Sequence, residues 1–332
     1  MKELWQILNC FSSQAFDSNK SKGRKNQEKE EMIVFETIDD PFWIDEQKII
    51  QSKSFRRLAG KTQVFPLSSN SMVRNRLIHS LEVKSIAETI AKILGLNVSL
   101  VRAIATGHDT GHTPFGHLGE RAISKISGQE FRHEIFGPIL LEQIERKGKG
   151  LNLCHETLEG IRHHSRGGGN LAINKKIPLE YSVVMLADKI AYTFSDINDS
   201  LRFQRFQKNE LPESIKKLGK NQREQVSSCI TSLCLESASK GYLSFSDSET
   251  AKNFKDLRDW MYQKVYLVLD DEPERLGLFD KIISTHKFIE ESLLKFLEYK
   301  KIDSFKILAT MTGRYPFLRT LFLQTRPLAF KE

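Results

Sequence analysis

The chain has 332 residues, 39% hydrophobic and 28% charged, a balance typical of a globular protein with a sizeable core. No apolar run is long enough to span a membrane, and residues 1–18 are too polar for a secretory signal, so we expect a cytoplasmic protein without membrane contact. The net charge of +8 suits anionic ligands such as nucleotides or nucleic acid, although many basic proteins bind neither. The four cysteines form no CxxC pair, which argues for reduced thiols and against a cysteine zinc site.

Hydrophobic periodicity predicts a mostly α-helical chain with scarce strand alternation and no internal repeat. Residues 19–31 are charged and aperiodic, and we expect them to form a mobile connector. Residues 165–170 are predicted to form a loop, and Gly60 and Gly95 to end the first two helices. The predicted helices span residues 44–59, 76–94, 98–109, 117–127, 133–146, 152–163, 179–200, 222–240, 249–269 and 274–298.

Candidate catalytic and metal-binding residues are most concentrated in residues 107–120, which contain three histidines, two carboxylates and four glycines. The adjacent pair His108-Asp109 ends one predicted helix, while His79 and Asp188 lie on two others. Two histidines and two carboxylates meeting in a bundle would hold Mn²⁺, Fe²⁺, Co²⁺, Ni²⁺ or Mg²⁺ with positions open to water and substrate. Taken singly, His79 is better explained as a capping or surface residue and Asp188 as a salt-bridged aspartate. The adjacent pair His108-Asp109 favours a metal site over these separate explanations.

His117 and Glu120 are three residues apart in a predicted helix, so they share one face. A carboxylate orients a neighbouring imidazole, and such a pair can act as general acid or base near neutral pH. The alternative is an ordinary surface pair.

The order His79, His108-Asp109, Asp188 resembles the HD superfamily of metal-dependent phosphohydrolases, with those four residues as metal ligands. Four longer sequence motifs resemble the deoxyguanosine triphosphate triphosphohydrolase family; they lie at residues 55–65, 76–83, 108–117 and 158–165. A weaker match lies at residues 311–315. The likeness covers about residues 40–205. It implies an all-α fold: an HD-domain helical bundle at 41–205, preceded by an N-terminal segment at 1–40 and followed by helices packing on it at 206–332.

The resemblance also implies roles for individual residues. His117, Glu120 and His112 occupy catalytic positions, without deciding which histidine protonates the leaving group. Arg76, His133 and Lys189 correspond to phosphate contacts, although Lys189 could equally be a solvated lysine. Tyr192, Asp196 and Gln63 correspond to sugar contacts, with Tyr192 excluding a 2′-hydroxyl unless it is only a core aromatic. Arg57 completes the implied substrate-binding set.

The implied reaction is metal-dependent hydrolysis of a deoxynucleoside triphosphate, with dGTP favoured, to the deoxynucleoside and inorganic triphosphate. Two alternatives stay open: another HD-type reaction, on an alarmone or a nucleoside monophosphate, and a basic nucleic-acid-binding protein without turnover. The resemblance further implies a homo-oligomer, and in some relatives activation by nucleotides; the charge also admits single-stranded nucleic acid as a partner. Ser195 stands where the family usually has histidine, and Asn198 and Gly313 where it often has an acidic residue, so base preference and regulation are open.

Overall fold

The computed structural model describes residues 2–26, 35, 37–65, 72–165, 173, 176–270 and 277–287. Within these ranges the chain is helical, and its only β pairings are two isolated bridges, Arg24 with Cys154 and Thr62 with Asn75. The predicted all-α fold class is therefore confirmed. The helices are α1 (Lys2–Gln6), α2 (Pro41–Ile50), α3 (Lys53–Arg57), α4 (Arg76–Leu94), α5 (Val98–Gly107), α6 (Gly116–Ser127), α7 (His133–Ile139), α8 (His155–His163), α9 (Leu179–Arg202), α10 (Glu213–Leu218), α11 (Gln222–Lys240), α12 (Glu249–Met261), α13 (Leu267–Asp270) and α14 (277–287).

Helix α4 has the predicted bounds because both of its ends carry strong local signals. The Asn75 side chain caps the first turn by accepting a hydrogen bond from Ile78 N at 3.0 Å. Gly95 ends the helix in the left-handed conformation, with φ 78°. The buried face of α4 packs against α5 and α9, and this three-helix contact forms the centre of the bundle.

The single helix predicted over 44–59 is wrong. The structure has α2, then a break at Gln51 and Ser52, then the short α3. The Ser52 side chain accepts a hydrogen bond from Phe55 N at 3.1 Å, so it starts a new helix where the periodic pattern continued. The break turns α3 so that Phe55 is buried.

Two other predicted helices change type before they end. The 133–146 prediction corresponds to α7 followed by a π-helical turn at Leu140–Ile144. The 249–269 prediction corresponds to α12, a π-helical turn at Tyr262–Tyr266, and α13. Each π turn adds a residue to the helical repeat and so rotates the side chains that follow it. Of the predicted helix at 274–298, residues 277–287 are described and helical.

One hydrophobic core runs from the N-terminal segment to α13, and helix α9 lies at its centre. Phe194 of α9 packs against Phe254 of α12 with ring centroids 5.8 Å apart, so the helices after residue 205 share the core of those before it. No helix within the described ranges is long and apolar enough to cross a membrane. All four cysteines have free thiols.

The segment preceding α2 lies against this core. Phe11 N donates to Leu94 O at 2.8 Å, and Lys22 N donates to Glu156 Oε1 at 2.8 Å. The Arg24 guanidinium pairs with the buried Asp45 carboxylate. The predicted connector at 19–31 is thus bonded to the core through residue 26, whereas residues 27–31 lie outside the described ranges, as do 166–170 and 311–315.

Candidate active site

Helices α4 and α9 and the end of α5 bring His79, His108, Asp109 and Asp188 close together. His79 Nε2 lies 2.9 Å from Asp188 Oδ1 and 3.9 Å from Asp109 Oδ2. His108 Nε2 lies 3.5 Å from Asp109 Oδ1 and 3.9 Å from Asp188 Oδ1. His108 caps the end of α5, and Asp109 follows it in the turn. We call these four residues the cation cluster.

The donor atoms of the cation cluster fit a divalent metal ion. His108 Nδ1 lies 2.7 Å from Ala105 O, and because a carbonyl only accepts, Nδ1 carries the proton and Nε2 presents its lone pair. That Nε2 is buried and has no hydrogen-bond partner within the described residues. The ligand atoms of His79, His108 and Asp109 lie within 4.8 Å of one another. An HD-type cluster of this composition can hold a divalent cation.

Both carboxylates of the cation cluster are ionised. Burial opposes the charge of Asp109, but the Arg76 guanidinium and three imidazoles hold the pKa of its carboxyl well below the usual range. Burial likewise opposes the charge of Asp188, and the His79 hydrogen bond lowers its pKa. Metal ligands must be deprotonated, and these two are.

Arg76 lies beside the cation cluster, one turn of α4 before His79. Its guanidinium donates to Asp109 Oδ2 at 2.8 Å and to Gln63 O at 3.4 Å. Lys189 follows Asp188 on α9 and is only 4% exposed, so it is not the solvated lysine that the sequence allowed. Arg76 is therefore a buried cation that contacts the cluster, and Lys189 is a buried lysine next to Asp188 in the chain. Arg57, at the end of α3, lies near Glu145 and belongs to neither cluster described here.

A second cluster forms around Glu120 of α6, and we call it the Glu120 cluster. Its carboxylate faces three imidazoles: Oε1 lies 2.7 Å from His133 Nδ1 and 3.0 Å from His112 Nδ1, and Oε2 lies 3.1 Å from His117 Nδ1. The rings of His112 and His133 stack with centroids 3.5 Å apart. His117 is 72% exposed, whereas His112 and His133 are buried. The predicted His117–Glu120 pair is thus part of a larger group.

The proton distribution in this cluster follows from its contacts. His164 has no role predicted from the sequence. Its Nε2 lies 3.3 Å from His133 Nε2, and its Nδ1 donates to Ile161 O at 2.6 Å. His164 Nε2 therefore accepts, and His133 donates from both ring nitrogens, to His164 and to Glu120. Burial lowers the pKa of His164 to about 4 and also opposes charge on His133, but the Glu120 carboxylate raises the pKa of His133. His133 is accordingly an imidazolium ion.

Close backbone packing aligns the two buried rings. A Cβ on Gly111 would lie 2.2 Å from His133 O and 2.5 Å from Gly137 N, so only glycine permits the loop before His112 to reach the start of α7. The buried Lys61 ammonium holds the same loop, donating to His112 O at 2.5 Å and Thr110 O at 3.3 Å. Neither contact is readable from local sequence.

Two side chains from the C-terminal helices contact the predicted sugar-binding residues. Arg258 of α12 donates to Tyr192 Oη at 3.0 Å, and Tyr266 Oη donates to Asp196 Oδ2 at 2.6 Å. Burial raises the pKa of Asp196 to about 7, against the Tyr266 hydrogen bond. Gln63 contributes a buried side-chain oxygen without a hydrogen-bond partner in the described residues. Neither Arg258 nor Tyr266 is among the residues predicted from the sequence.

Comparison with known proteins finds close relatives across most of this structure. The HD domain family model matches residues 76–193, which include both clusters. A deoxyguanosinetriphosphate triphosphohydrolase-like protein from Clostridium tetani is 41% identical over 253 residues, covering 74% of this chain and 72% of that protein. Proteins of the same name from Caldanaerobacter subterraneus and Desulfatibacillum aliphaticivorans are 40% and 36% identical, covering 77% and 78% of this chain and 73% and 74% of their own.

Proposed function

Because the chain belongs to the deoxyguanosinetriphosphate triphosphohydrolase-like family of HD-domain nucleotide phosphohydrolases, we propose that it hydrolyses a deoxynucleoside triphosphate, with dGTP favoured. Water attacks the α-phosphorus, the bond to the 5′-oxygen breaks, and the deoxynucleoside and inorganic triphosphate leave. One observation supports this most: His112 joins the two clusters, with Nε2 3.3 Å from Asp109 Oδ1 and Nδ1 3.0 Å from Glu120 Oε1. Cation binding and proton transfer can thus act on one phosphoryl group.

Each cluster has its own part in this proposal. A divalent cation held by His79, His108, Asp109 and Asp188 would supply positive charge and orientation at the α-phosphoryl group. The native ion is proposed to be Mn²⁺ or Mg²⁺, with Fe²⁺, Co²⁺ or Ni²⁺ as alternatives.

The charges of the chain itself complement a triphosphate. Arg76 is a buried cation that donates to Asp109, Lys189 is buried directly after Asp188 in the chain, and His133 is a buried imidazolium of the Glu120 cluster. Charge-assisted hydrogen bonds from such groups bind phosphate oxygens more strongly than neutral donors do. We assign phosphate binding to these three residues.

Proton transfer to the departing 5′-oxygen is assigned to His112 or His117. Glu120 faces Nδ1 of both rings and so fixes their orientation. His112 is buried beside the cation cluster, while His117 is exposed at the mouth of the Glu120 cluster. Comparing His112→Ala with His117→Ala for the leaving-group protonation step distinguishes them.

The deoxyribose is proposed to bind between Tyr192, Asp196 and Gln63. The hydroxyl of Tyr192 is held by Arg258, which places the ring as a rigid wall against a 2′-hydroxyl. Tyr266 Oη donates to Asp196 Oδ2, so we assign Asp196 Oδ1 as the acceptor of a hydrogen bond from the 3′-hydroxyl. Among the residues that the structure describes, no contact supports a substrate role for Arg57, which stays a prediction.

Removing the Tyr192 ring is expected to weaken discrimination against ribonucleotides. In Tyr192→Ala the ratio of kcat/KM for dGTP to that for GTP should fall by about 10- to 100-fold, the scale of a steric pocket effect. Tyr192→Phe is the matched control, because it keeps the ring and loses only the bond to Arg258. Equal ratios in wild type and Tyr192→Ala would show that the ring does not exclude the 2′-hydroxyl.

A product assay tests the proposed reaction. Purified protein is incubated with each dNTP and Mn²⁺ or Mg²⁺, and the phosphate products are separated by ion exchange. Equal amounts of deoxynucleoside and inorganic triphosphate are expected; pyrophosphate or single phosphate would contradict attack at the α-phosphorus with loss of the 5′-oxygen. Guanosine tetraphosphate and deoxynucleoside monophosphates in the same panel test the other HD-type reactions. The homo-oligomer and the nucleotide or single-stranded nucleic acid activator stay predictions.

A further inference from the structure

The Glu120 cluster presents an unusual set of donor atoms. Three imidazoles from different elements direct the same atom, Nδ1, at one carboxylate: His112 from the loop after α5, His117 from α6 and His133 from α7. The ligand atoms of His117, Glu120 and His133 lie within 4.8 Å of one another. A proton-transfer pair needs one imidazole and one carboxylate, so this group holds more donor atoms than that role requires.

His112 lies beside this group without belonging to its ligand set. Its ring faces two carboxylate oxygens, Asp109 Oδ1 at 3.3 Å and Glu120 Oε1 at 3.0 Å. It stacks on the His133 ring with centroids 3.5 Å apart and planes 17° apart, so the two Nδ1 lone pairs run nearly parallel and cannot both point at one ion. The ligand atoms that converge are therefore those of His117, Glu120 and His133.

We propose that His117, His133 and Glu120 form a second divalent transition-metal site, distinct from the cation cluster, that takes Zn²⁺ or Co²⁺. Imidazole and carboxylate are ligands that these ions prefer. Metal–ligand bonds of about 2.0 Å put neighbouring tetrahedral ligand atoms about 3.3 Å apart. The Glu120 carboxylate lies 2.7 Å from His133 Nδ1 and 3.1 Å from His117 Nδ1, so only a small expansion is needed to reach that value.

The surroundings of the group suit reversible binding. With neutral imidazoles the three ligands carry one negative charge, from Glu120, and the cation takes the place of the His133 Nδ1 proton, which is released to solvent. His117 is 72% exposed and gives an entry path from solvent, in contrast to the fully buried His108 of the cation cluster. An ion in this site occupies the nitrogen lone pairs that proton transfer uses. Excess zinc should therefore inhibit turnover while the cation cluster stays loaded.

Metal binding is measured directly, so the test does not depend on the proposed reaction. The untagged, chelator-stripped chain is titrated with Co²⁺, and bound cobalt is quantified by equilibrium dialysis and by visible d–d absorption. We expect two Co²⁺ per chain in the wild type. His117→Ala removes an exposed ligand without disturbing the core and should weaken one of the two sites at least about tenfold. Asp188→Asn should weaken the other.

His163→Ala is the matched control, because His163 is a partly exposed imidazole on α8 that pairs with Glu159. It should retain two cobalt ions with wild-type affinities. A wild-type stoichiometry of one would overturn the proposal. So would two unchanged affinities in His117→Ala, or equal weakening in His117→Ala and His163→Ala.

Discussion

Asp188→Asn is expected to fold normally and to lose at least about 100-fold in turnover, together with about 10- to 100-fold in affinity for the catalytic cation. Asparagine keeps the shape of aspartate and keeps an oxygen that can accept the 2.9 Å hydrogen bond from His79 Nε2. What it removes is one of the two negative charges of the cation cluster. The loss should therefore fall on the cation and not on packing.

The experiment pairs activity with metal content. Bound Mn²⁺ is measured by plasma mass spectrometry after dialysis, and the fold is checked by thermal melting. Asp256→Asn makes the same chemical change on the exposed face of α12 and should match the wild type in all three measurements. Wild-type metal content with wild-type turnover in Asp188→Asn would remove Asp188 from the cation cluster.

Elements with local end signals were predictable from the sequence, and α4 is the clearest case. Its N-cap Asn75 and its C-terminal Gly95 act within four residues of each helix end, so no tertiary knowledge is needed. The break between α2 and α3 was missed because Ser52 can cap a new helix or sit inside a continuing one. Tertiary burial of Phe55 decides between those two outcomes, and the periodic pattern does not contain that information.

The two π-helical turns could not be predicted from the local sequence either, and one of them positions a residue of the candidate site. Tyr262–Tyr266 interrupts the repeat begun in α12, and its last residue, Tyr266, reaches Asp196 on α9. A continuous α-helix over 249–269, as predicted, would place Tyr266 on a different face. The side chain that holds Asp196 therefore depends on a helical irregularity that has no reliable sequence signature.

Within the candidate site, the residues that the sequence identified are those with informative neighbours. The pair His108-Asp109 and the spacing of His117 and Glu120 are local patterns. Lys61 and His164 lack such a pattern, because their partners are backbone carbonyls and a ring from other elements. Arg258 and Tyr266 come from helices beyond residue 205, outside the proposed catalytic core at 41–205, and meet α9 only through folding.

The contacts of Arg258 and Tyr266 with α9 give the C-terminal helices a part in the proposed site. The resemblance assigned sugar recognition to Tyr192 and Asp196 of α9 and to Gln63. In the structure, each of the two recognition side chains of α9 is bonded to a residue from the region after residue 205. Changes that loosen the packing of α12 on α9, such as at the Phe194–Phe254 contact, should therefore affect nucleotide selectivity before they affect the cation cluster.

Glu120→Gln is the second variant for which a large loss is expected, by about 100- to 10,000-fold in kcat, the range for disabling a general acid–base group. The carboxylate accepts from His133 at 2.7 Å and faces His112 and His117 with the same two oxygens. Glutamine replaces one oxygen with an N–H₂ group, which donates where these rings also donate. At least one imidazole must then turn away or change its tautomer so that Nδ1 accepts.

A double-variant cycle separates orientation from a general electrostatic effect. If Glu120 acts by orienting His117, Glu120→Gln combined with His117→Ala should be no slower than the slower single variant, because groups that work as a unit lose their effect together. If Glu120 acts mainly through the buried rings, the two losses should multiply, and His112→Ala should be the variant that masks Glu120→Gln. Glu130→Gln, an exposed carboxylate just after α6, is the control and should keep wild-type kcat. Wild-type kcat in Glu120→Gln would mean that proton transfer does not pass through this cluster, even though three imidazoles converge on it.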